Sequence, residues 1–427
     1  MNVAAIVKAK GSRIVATRRE SSIQRPSAGR VNAQILHMPS TSPRVWGLSP
    51  AERILRALRR ADIAEVVHGA AAPSCEGSLL ILRDDIIYDG GFIEALIASP
   101  DVLVAEASTP GALGLAAHVS AECAGAARRW LEHDGAPPHG AAVVTPAALG
   151  HSYRRELRKR QEPFAVVVSA DNLDTVERRV YRSAYKGITD LITKYLWPEP
   201  AMHATRLCVR LGITPNMVTS ASAAVMLAAL WLFWHGDYGW GLLAGWVMTF
   251  LDTVDGKLAR VTLTATRFGS LFDHGMDIVH PPFWYAAWGF GLAPAAMALP
   301  PAWLEAGLWA MLAGYVLGRL CEGYFNRRFG FSLFVWRRFD SLSRLITARR
   351  NPNMILLGAG WLAGRPDIGL LAVVLWTLAS TTVLILRIAA AEVAKALDCP
   401  VVSWLDPGAV MGLGVVSQRN SRVNRTS

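Results

Sequence analysis

The chain has few cysteines for its length, and they are scattered. Five cysteines occur among 427 residues, and no two of them have a paired spacing. The sequence therefore predicts neither a disulfide framework nor a cysteine-ligated zinc site. The first residues also lack a continuous apolar run followed by a small-residue cleavage site, so no signal peptide is expected.

Acidic residues are scarcer than basic ones, which gives a formal net charge of +11. A basic chain often binds nucleic acid, but no nucleic-acid motif is present. The lysines and arginines lie beside long apolar segments instead, where we expect them to meet the anionic headgroups of a bilayer. The charge therefore predicts a membrane partner and no nucleic-acid partner.

Long apolar segments are confined to the second half of the chain, and each is about long enough to cross a bilayer core. The six predicted spans are residues 216–235, 239–258, 273–297, 303–325, 348–364 and 367–391. Basic loops follow the second and fourth spans, whereas the connections on the opposite side carry almost no lysine or arginine. The positive-inside rule then places both termini, the end of the second span with its basic loop, and the arginine-rich loop after the fourth span on the cytoplasmic side.

Four aspartates interrupt this apolar half at fixed spacing. Asp252 and Asp255 are three residues apart, and Asp273 and Asp277 are four apart, so each pair lies on one helix face. Acidic groups close to a bilayer are energetically costly and mark functional sites. Two such faces turned toward each other would make a cage of hard oxygen ligands, which suits Mg²⁺ or Mn²⁺.

The residues between the two pairs suit a diphosphate ligand. Gly256 and Ala259 keep the first helix thin enough for a nucleotide to approach its backbone, and Gly269 does the same for the second. Arg260 offers a forked cation for a diphosphate. The plainer alternative is a helical hairpin whose acids cap helices or pair with Arg260 and Arg267.

The complete pattern, D-x2-D-G-x2-A-R-x8-G-x3-D-x3-D, resembles the signature of the CDP-alcohol phosphatidyltransferase family, and all eight fixed positions are present. The resemblance implies a six-helix transmembrane domain, an interfacial helix ahead of it and a homodimer. It also implies transfer of a substituted phosphate from a CDP-alcohol, typically CDP-diacylglycerol, to a second alcohol in phospholipid biosynthesis, with release of CMP. Two Mg²⁺ or Mn²⁺ ions would neutralise the diphosphate.

The resemblance also assigns roles to the residues that match the motif. Asp252, Asp255 and Asp273 would be metal ligands, and Asp277 would be the general base that accepts the proton of the acceptor hydroxyl. The residues expected to border the CDP are Gly256, Ala259, Arg260 and Gly269.

The acceptor site is less defined. Arg344, Arg349 and Arg350 precede the fifth span, where they either hold a phosphate on the acceptor, as inositol phosphate would need, or anchor the span at the membrane surface. His280 follows Asp277 by three residues. It either touches the acceptor or is a buried histidine at a proline kink.

The first half of the chain alternates short apolar runs with helical segments. The runs are Ala4–Val7, Ile63–Val67, Leu79–Leu82, Val102–Ala105, Ala141–Val144 and Phe164–Val168. Between them, Ser49 to Glu52 is a capping box with proline at the first helical position, and it opens a helix through Arg60. This alternation predicts a three-layer α/β domain with a mostly parallel sheet.

This half resembles the sugar-phosphate nucleotidyltransferases. The similarity lies in the order of elements, in the W-G-L-S-P-A-E-R stretch from Trp46 to Arg53, and in Asp84 and Asp85 after a strand. Those enzymes wrap a triphosphate in a glycine-rich loop, but residues 4–13 contain one glycine. We therefore expect a degenerate scaffold or regulatory domain. The alternative is a bifunctional enzyme that also makes the CDP-activated headgroup.

The sequence thus predicts four segments. They are an α/β domain at 1–178, an interfacial juxtamembrane helix and linker at 179–213, an all-α transmembrane domain at 214–395 and a basic cytoplasmic tail at 396–427. Two other classes remain open, namely a transporter and a non-catalytic membrane scaffold. A transporter would spread its acids over several spans, whereas these four lie at one cytoplasmic end.

Overall fold

The computed structural model describes residues 31–39, 42–63, 65–69, 77–109, 111–133, 136–150, 152–297 and 299–406. Several predictions fall outside this part of the chain: the strand at Ala4–Val7, the opening at 4–13 and the tail after residue 406. The side chain of Asp273 is also outside it, although its backbone is described.

The first half contains ten strands and four α-helices in the described residues. The strands are β1 (Val31–Leu36), β2 (Val66–His68), β3 (Ser78–Arg83), β4 (Ile86–Tyr88), β5 (Val102–Ala105), β6 (Gly114–Ser120), β7 (Ala142–Val144), β8 (Ser152–Arg154), β9 (Lys159–Gln161) and β10 (Ala165–Val167). The helices are α1 (Pro50–Arg60), α2 (Gly90–Ile97), α3 (Ala124–Leu131) and α4 (Leu173–Ser183).

A six-stranded sheet in the order β2-β1-β3-β6-β5-β7 forms the centre of this half. Strand β6 runs antiparallel to β3 and β5, and the other pairings are parallel. The sheet is therefore mixed with a parallel core, which confirms the predicted α/β class. Strand β1 was missed by the sequence analysis.

Local sequence explains the central elements. The run Leu79–Leu82 is fully buried in β3, as a strand covered on both faces requires. At α1, Ser49 Oγ accepts a hydrogen bond from Glu52 N at 3.2 Å, and Glu52 Oε2 accepts one from Ser49 N at 2.8 Å. The predicted capping box is thus confirmed, and Ile54 turns inward to the core.

Two smaller sheets lie beside the main one. Strands β4 and β10 pair antiparallel, so the predicted run Phe164–Val168 is a strand outside the central sheet. Strands β8 and β9 form a second antiparallel pair, called here the β8–β9 hairpin (residues 152–161). Both small sheets lie on the side of the α/β half that meets the helical half.

The second half is helical. Its helices are α5 (Pro198–Arg210), α6 (Pro215–Trp234), α7 (Tyr238–Val261), α8 (Arg267–Phe290), α9 (Pro301–Phe329), α10 (Arg338–Ser343), α11 (Arg350–Leu362) and α12 (Pro366–Ala396). Helices α6, α7, α8, α9, α11 and α12 coincide with the six predicted spans. Among the described residues, three of them, α6, α9 and α12, are long and apolar enough to cross a membrane. Helix α11 has 13 residues, which is about 20 Å.

The segment between the halves is helical only in parts. Helix α4 ends at Ser183, a single π-helical turn spans Ile192–Leu196, and α5 begins at Pro198. Pro198 occupies the first position of α5, where no intrahelical hydrogen bond from its nitrogen is needed. The predicted boundary at residue 178 falls within α4, so the division into segments stays a prediction.

Helices α11 and α12 meet with almost no side chain between them. A Cβ added at Gly360 would lie 2.5 Å from the Cα of Gly369, closer than real Cβ contacts. Glycine at position 360 is therefore required by this crossing, and the two helix backbones hold α11 in place.

Two arginines of α1 join the α/β half to α7. Arg53 Nη1 donates to the Val261 carbonyl and Arg56 Nη1 to the Thr262 carbonyl, both at 2.6 Å. Carbonyls at a helix C-terminus lack intrahelical partners and carry partial negative charge, so guanidinium groups stabilise them. Burial, and then the neighbouring Arg56, lower the pKa of Arg53 to about 10, so it stays charged at neutral pH.

Replacing Arg53 with alanine is expected to lower the melting temperature of the detergent-solubilised protein by about 3–10 °C. The change removes a buried, charged hydrogen bond of about 1.5–3 kcal/mol. Arg59→Ala, on the exposed side of the same helix, is the control and should melt like wild type. Identical melting of the Arg53 variant would contradict this account of the junction.

Candidate functional site

The aspartates lie at one end of the helical bundle. Asp252 and Asp255 are in the last three turns of α7, and Asp277 is in the first half of α8. Both helices pack on α6. The start of α8 is set by Thr266, whose Oγ1 accepts a hydrogen bond from Gly269 N at 3.0 Å.

One arginine joins the two aspartate-bearing helices. Arg350, the first residue of α11, donates from Nη2 to Asp252 Oδ2 at 2.6 Å and from Nη1 to Asp277 Oδ1 at 2.8 Å. The side chains of Arg350 and Asp252 are 13% and 17% exposed, whereas that of Asp277 is 41% exposed. The two carboxylates thus converge on one cation, and Asp277 keeps an open face.

Asp255 is buried against α6. Its Oδ2 accepts a hydrogen bond from Thr219 Oγ1 at 2.7 Å, and the residue is 4% exposed. Asp273 lies on α8 one turn before Asp277, with a side chain outside those described. The cage of four carboxylates therefore stays a prediction.

The donor chemistry at this end of the bundle fits a hard divalent cation. Among the side chains that the structure describes, no three acidic, histidine or cysteine residues form a ready metal cluster. However, the oxygens of Asp252 and Asp277 already meet on one positive charge, and Asp255 is one turn from Asp252 on the same helix. Carboxylate oxygens are the ligands that Mg²⁺ and Mn²⁺ prefer.

The two glycines expected to border the CDP have close neighbours within the protein, and their CDP-binding role stays a prediction. A Cβ at Gly256 would lie 3.2 Å from the Arg260 Nη2 atom, and one at Gly269 would lie 3.1 Å from Asn216 Oδ1 of α6. Ala259 is half-buried beside Arg260. Small residues therefore line this end of α7 and α8.

A cavity of about 1520 Å³ lies between the α/β half and the end of α7. Arg260 lines it from the helical half, and Arg60, Asp89 and Arg154 line it from the α/β half. Burial raises the pKa of Asp89, against the lowering effect of a hydrogen bond from Phe92 N and of Arg154. Arg260 thus lines a cavity that residues of both halves enclose.

The two acids noted after β3 are engaged within the α/β half. Asp84 accepts a hydrogen bond from Met38 N at 2.8 Å and contacts His37 Nδ1 at 2.7 Å. Asp85 forms an ion pair with Arg83 at 2.7 Å inside the protein. Both carboxylates therefore have partners within the α/β half.

Three arginines, called here the arginine cluster (Arg319, Arg344 and Arg349), lie beside the aspartate site. Arg319 Nη2 donates to Glu322 Oε1 at 2.5 Å, and Arg349 Nη2 donates to Glu322 Oε2. Arg344 is 7% exposed, and its guanidinium lies 5.4 Å from the ring centroid of Phe334. Two of the three predicted acceptor arginines are thus in one cluster, and Arg350 is in the aspartate site.

The second carboxylate at the arginine cluster is Asp190. Burial alone would raise its pKa, but Arg344 and hydrogen bonds from Thr193 and Asn351 outweigh burial and leave the pKa below its ordinary value. Several buried guanidinium nitrogens have no hydrogen-bond partner among the described residues, namely Arg319 Nε, Arg344 Nε, Arg344 Nη1 and Arg349 Nε. Such atoms are rare in proteins unless a ligand or water meets them.

His280 is buried rather than open to an acceptor. Its Nδ1 donates to the Met276 carbonyl at 2.6 Å, and its ring lies edge-on to Trp284 at 4.8 Å. It lines an apolar groove of about 500 Å³ between α6 and α8, together with Leu227 and Phe283. The geometry matches a histidine packed at a proline kink.

Thr219, Asp190 and Glu322 were not singled out from the sequence. Glu322 carried a usable signal, because an acid inside a predicted span is costly unless it has a partner. Thr219 and Asp190 carried none, because their partners lie 36 and 161 residues away.

Comparison with known proteins identifies the class of the helical half. Residues 212–321 match the family model described as CDP-alcohol phosphatidyltransferase. The chain therefore contains a domain of this transferase family, as its motif predicts.

Individual relatives agree with that class. A phosphatidylinositol phosphate synthase of Mycobacteroides abscessus is 37% identical over 97 residues, which are 21% of this chain and 44% of the relative. An archaetidylinositol phosphate synthase of Pyrococcus horikoshii is 33% identical over 18% of this chain and 42% of the relative. A CDP-diacylglycerol–serine O-phosphatidyltransferase of Helicobacter pylori is 31% identical over 21% and 33%. The chain thus spans less than half the length of each of these relatives.

Among solved structures, the chain is similar to apo phosphatidylinositol phosphate synthase of Mycobacterium tuberculosis. The similarity covers 44% of this chain and 94% of that chain, at 19% identity and a TM-score of 0.34.

Replacing Arg350 with glutamine is expected to lower the free energy of unfolding by about 3–5 kcal/mol when divalent ions are chelated, because Asp252 and Asp277 lose their shared cation. Mg²⁺ or Mn²⁺ should raise the melting temperature of this variant more than that of wild type, since the ion would neutralise the same carboxylates. Arg182→Gln, which breaks the exposed pair with Glu199, is the control. A variant as stable as wild type in chelator would refute the bridging role.

Proposed function

We propose that the protein transfers a phosphatidyl group from CDP-diacylglycerol to an alcohol and releases CMP. The observation that carries this proposal is the convergence of Asp252 and Asp277 on Arg350, at the end of the helix that also carries Gly256 and Arg260. Carboxylates suited to divalent cations thereby lie together, and the helix that carries Asp252 also carries Arg260, which could bind a diphosphate. The motif and the relatives' names support the same chemistry.

Asp252, Asp255 and Asp273 would hold two divalent ions, Mg²⁺ or Mn²⁺. Bound there, the ions would supply charge neutralisation for the diphosphate. Support comes from the oxygen-only donor set and from the proximity of Asp252 and Asp277 to one cationic centre.

Asp277 would accept the proton of the acceptor hydroxyl. The hydroxyl oxygen attacks the β-phosphorus, the bond from that phosphorus to the bridging oxygen breaks, and CMP departs with the bonding electrons. The 41% exposure of Asp277 leaves one carboxylate face available to a substrate. Arg350 stabilises the ionised form of Asp277, and Arg260 is placed to bind phosphate oxygens.

The acceptor is, we infer, a phosphorylated alcohol such as inositol phosphate. The arginine cluster has more positive than negative groups and buried donors without partners among the described residues. A phosphate monoester supplies negative charge to balance this excess and oxygen atoms that accept hydrogen bonds from the free donors. The relatives include phosphatidylinositol phosphate synthases. Serine, the acceptor named for the Helicobacter pylori relative, carries no phosphate and would leave the cluster uncompensated.

The apolar groove between α6 and α8 suits the acyl chains of a lipid donor, because residues of α8 before and after Asp277 line it and most of its side chains are leucine, methionine or aromatic. The basic loops lie at the same end of the bundle as the aspartates, which supports a cytoplasmic active site and cytoplasmic termini. A homodimer is proposed from the family resemblance.

The α/β half is proposed to act without nucleotidyltransferase chemistry. The carboxylates of Asp84 and Asp85 already have partners within this half, which favours a degenerate scaffold or regulatory domain over the bifunctional alternative. Residues 1–178 remain the proposed extent of this domain.

Replacing Asp277 with asparagine is expected to reduce kcat by about 10²–10⁴-fold, because the amide cannot accept the hydroxyl proton. CDP binding, measured by calorimetry with divalent ions present, should stay within about threefold of wild type. Asp237→Asn, at the opposite end of α7 and exposed, is the matched control. Retained turnover would remove Asp277 from the role of base.

Release of labelled CMP from CDP-diacylglycerol by the purified protein tests the function. Release should require Mg²⁺ or Mn²⁺, stop with chelator, and be faster with inositol phosphate than with inositol or serine. A transporter or a scaffold would release no CMP with any of these acceptors, and that result would overturn the proposal.

A further inference from the structure

The β8–β9 hairpin of the α/β half is anchored to the helical half. Tyr153 packs on an aromatic cluster that includes Phe325 and Phe334. Arg160 donates from Nε to the Leu405 carbonyl at 2.5 Å and from Nη2 to the Trp404 carbonyl at 3.3 Å. The hairpin is therefore built into the surface beside the arginine cluster.

The tip of the hairpin is held from its other side as well. The Gly187 amide donates to the Leu157 carbonyl at 2.8 Å, and Lys159 Nζ donates to the Ser183 carbonyl. A Cβ at Gly187 would lie 2.8 Å from the Arg158 carbonyl oxygen. Contacts on two sides thus fix the position of Arg158.

Arg158 lies beside the arginine cluster, because Tyr153 of the same hairpin packs on the aromatic cluster that contains Phe334. The ring centroid of Phe334 is 5.4 Å from the Arg344 guanidinium and 5.8 Å from that of Arg349. The backbone of Arg158 has a φ of 48°, the left-handed conformation of a tight turn. The strongest charged neighbours of its guanidinium are Arg349, Glu322 and Arg319, all from the helical half. Burial, and then Arg349, lower the pKa of Arg158, so its surroundings are poorly hydrated and positively charged.

When Arg158 is counted with the arginine cluster, this site has two more positive charges than negative ones. Four guanidinium groups, those of Arg158 and the arginine cluster, face two carboxylates, those of Glu322 and Asp190. Like charges gathered in a poorly hydrated place are unfavourable unless an anion joins them. A phosphate monoester carries about two negative charges at neutral pH, which matches the excess.

We propose that Arg158 completes the binding site for the phosphate of the acceptor, so that the α/β half contributes directly to the active site of the helical half. This inference rests on the proposed function. It gives the α/β half a role that needs no nucleotidyltransferase activity: a fixed hairpin delivers a fourth cation to the acceptor phosphate.

The alternative role for Arg158 is purely structural. The anchoring contacts of the hairpin come from Tyr153, Leu157, Lys159 and Arg160. A neutral residue that adopts the same backbone conformation in the turn would fill that structural role equally well. Asparagine tolerates positive φ better than most residues, so Arg158→Asn removes the charge and keeps the turn.

The test compares Arg158→Asn with Arg155→Asn, an exposed arginine of the same turn, in the full-length protein. For Arg158→Asn, KM for inositol phosphate should rise about 10- to 100-fold, the size of a charged hydrogen bond. Its KM for CDP-diacylglycerol and its melting temperature should stay unchanged. Arg158→Lys should recover part of the loss, and Arg155→Asn should behave as wild type.

A second measurement uses inorganic phosphate as a competitive inhibitor against the acceptor. Its inhibition constant should rise in Arg158→Asn by a factor similar to that for KM. Should the asparagine variant fold poorly, Arg158→Gln provides the same comparison.

Unchanged KM and inhibition constants in folded neutral variants would overturn the role of Arg158 while leaving the proposed function intact. An equal loss in Arg155→Asn would also overturn it, since the effect would then belong to the turn as a whole. A wild-type protein that prefers unphosphorylated alcohols would overturn both the acceptor assignment and this inference.

Discussion

The helical half depends on a small ion-pair network in which two carboxylates share one guanidinium. Asp252 and Asp277 come from different helices, and like charges so placed repel strongly where the dielectric constant is low. Arg350 comes from a third helix, forms an ion pair with each carboxylate and offsets one of their two negative charges. The positions of α7, α8 and α11 are therefore coupled at this end of the bundle. The negative charge that remains at this place is the basis of the proposed divalent-cation site.

The α/β half and the helical half are joined by direct side-chain contacts and by a cavity that both of them line. Arg53 and Arg56 bind the carbonyl end of α7, and the β8–β9 hairpin docks beside the arginine cluster. Arg260 lines a cavity whose other walls come from the α/β half. The α/β half thus contributes contacts to the ends of helices in the helical half.

Much of this arrangement could be predicted from the sequence because its signals are local. Apolar length gave the positions of six helices, and fixed spacing gave the aspartate motif. Strand β1 was missed because Asn32 and Gln34 interrupt its apolar pattern, yet both are buried, and Gln34 donates to the Gly69 carbonyl at 2.7 Å. The bridge made by Arg350 could not be predicted, because its partners are 98 and 73 residues away.

The crossing of α11 and α12 has a further consequence for the guanidinium that begins α11. At Gly360 and Gly369 the two backbones touch, so there is no compressible side chain to absorb an added methyl group. The part of α11 between this crossing and Arg350 is about 15 Å long. A single methyl group added at this crossing would therefore tilt α11 and displace the Arg350 guanidinium at its other end, without contacting any reacting group.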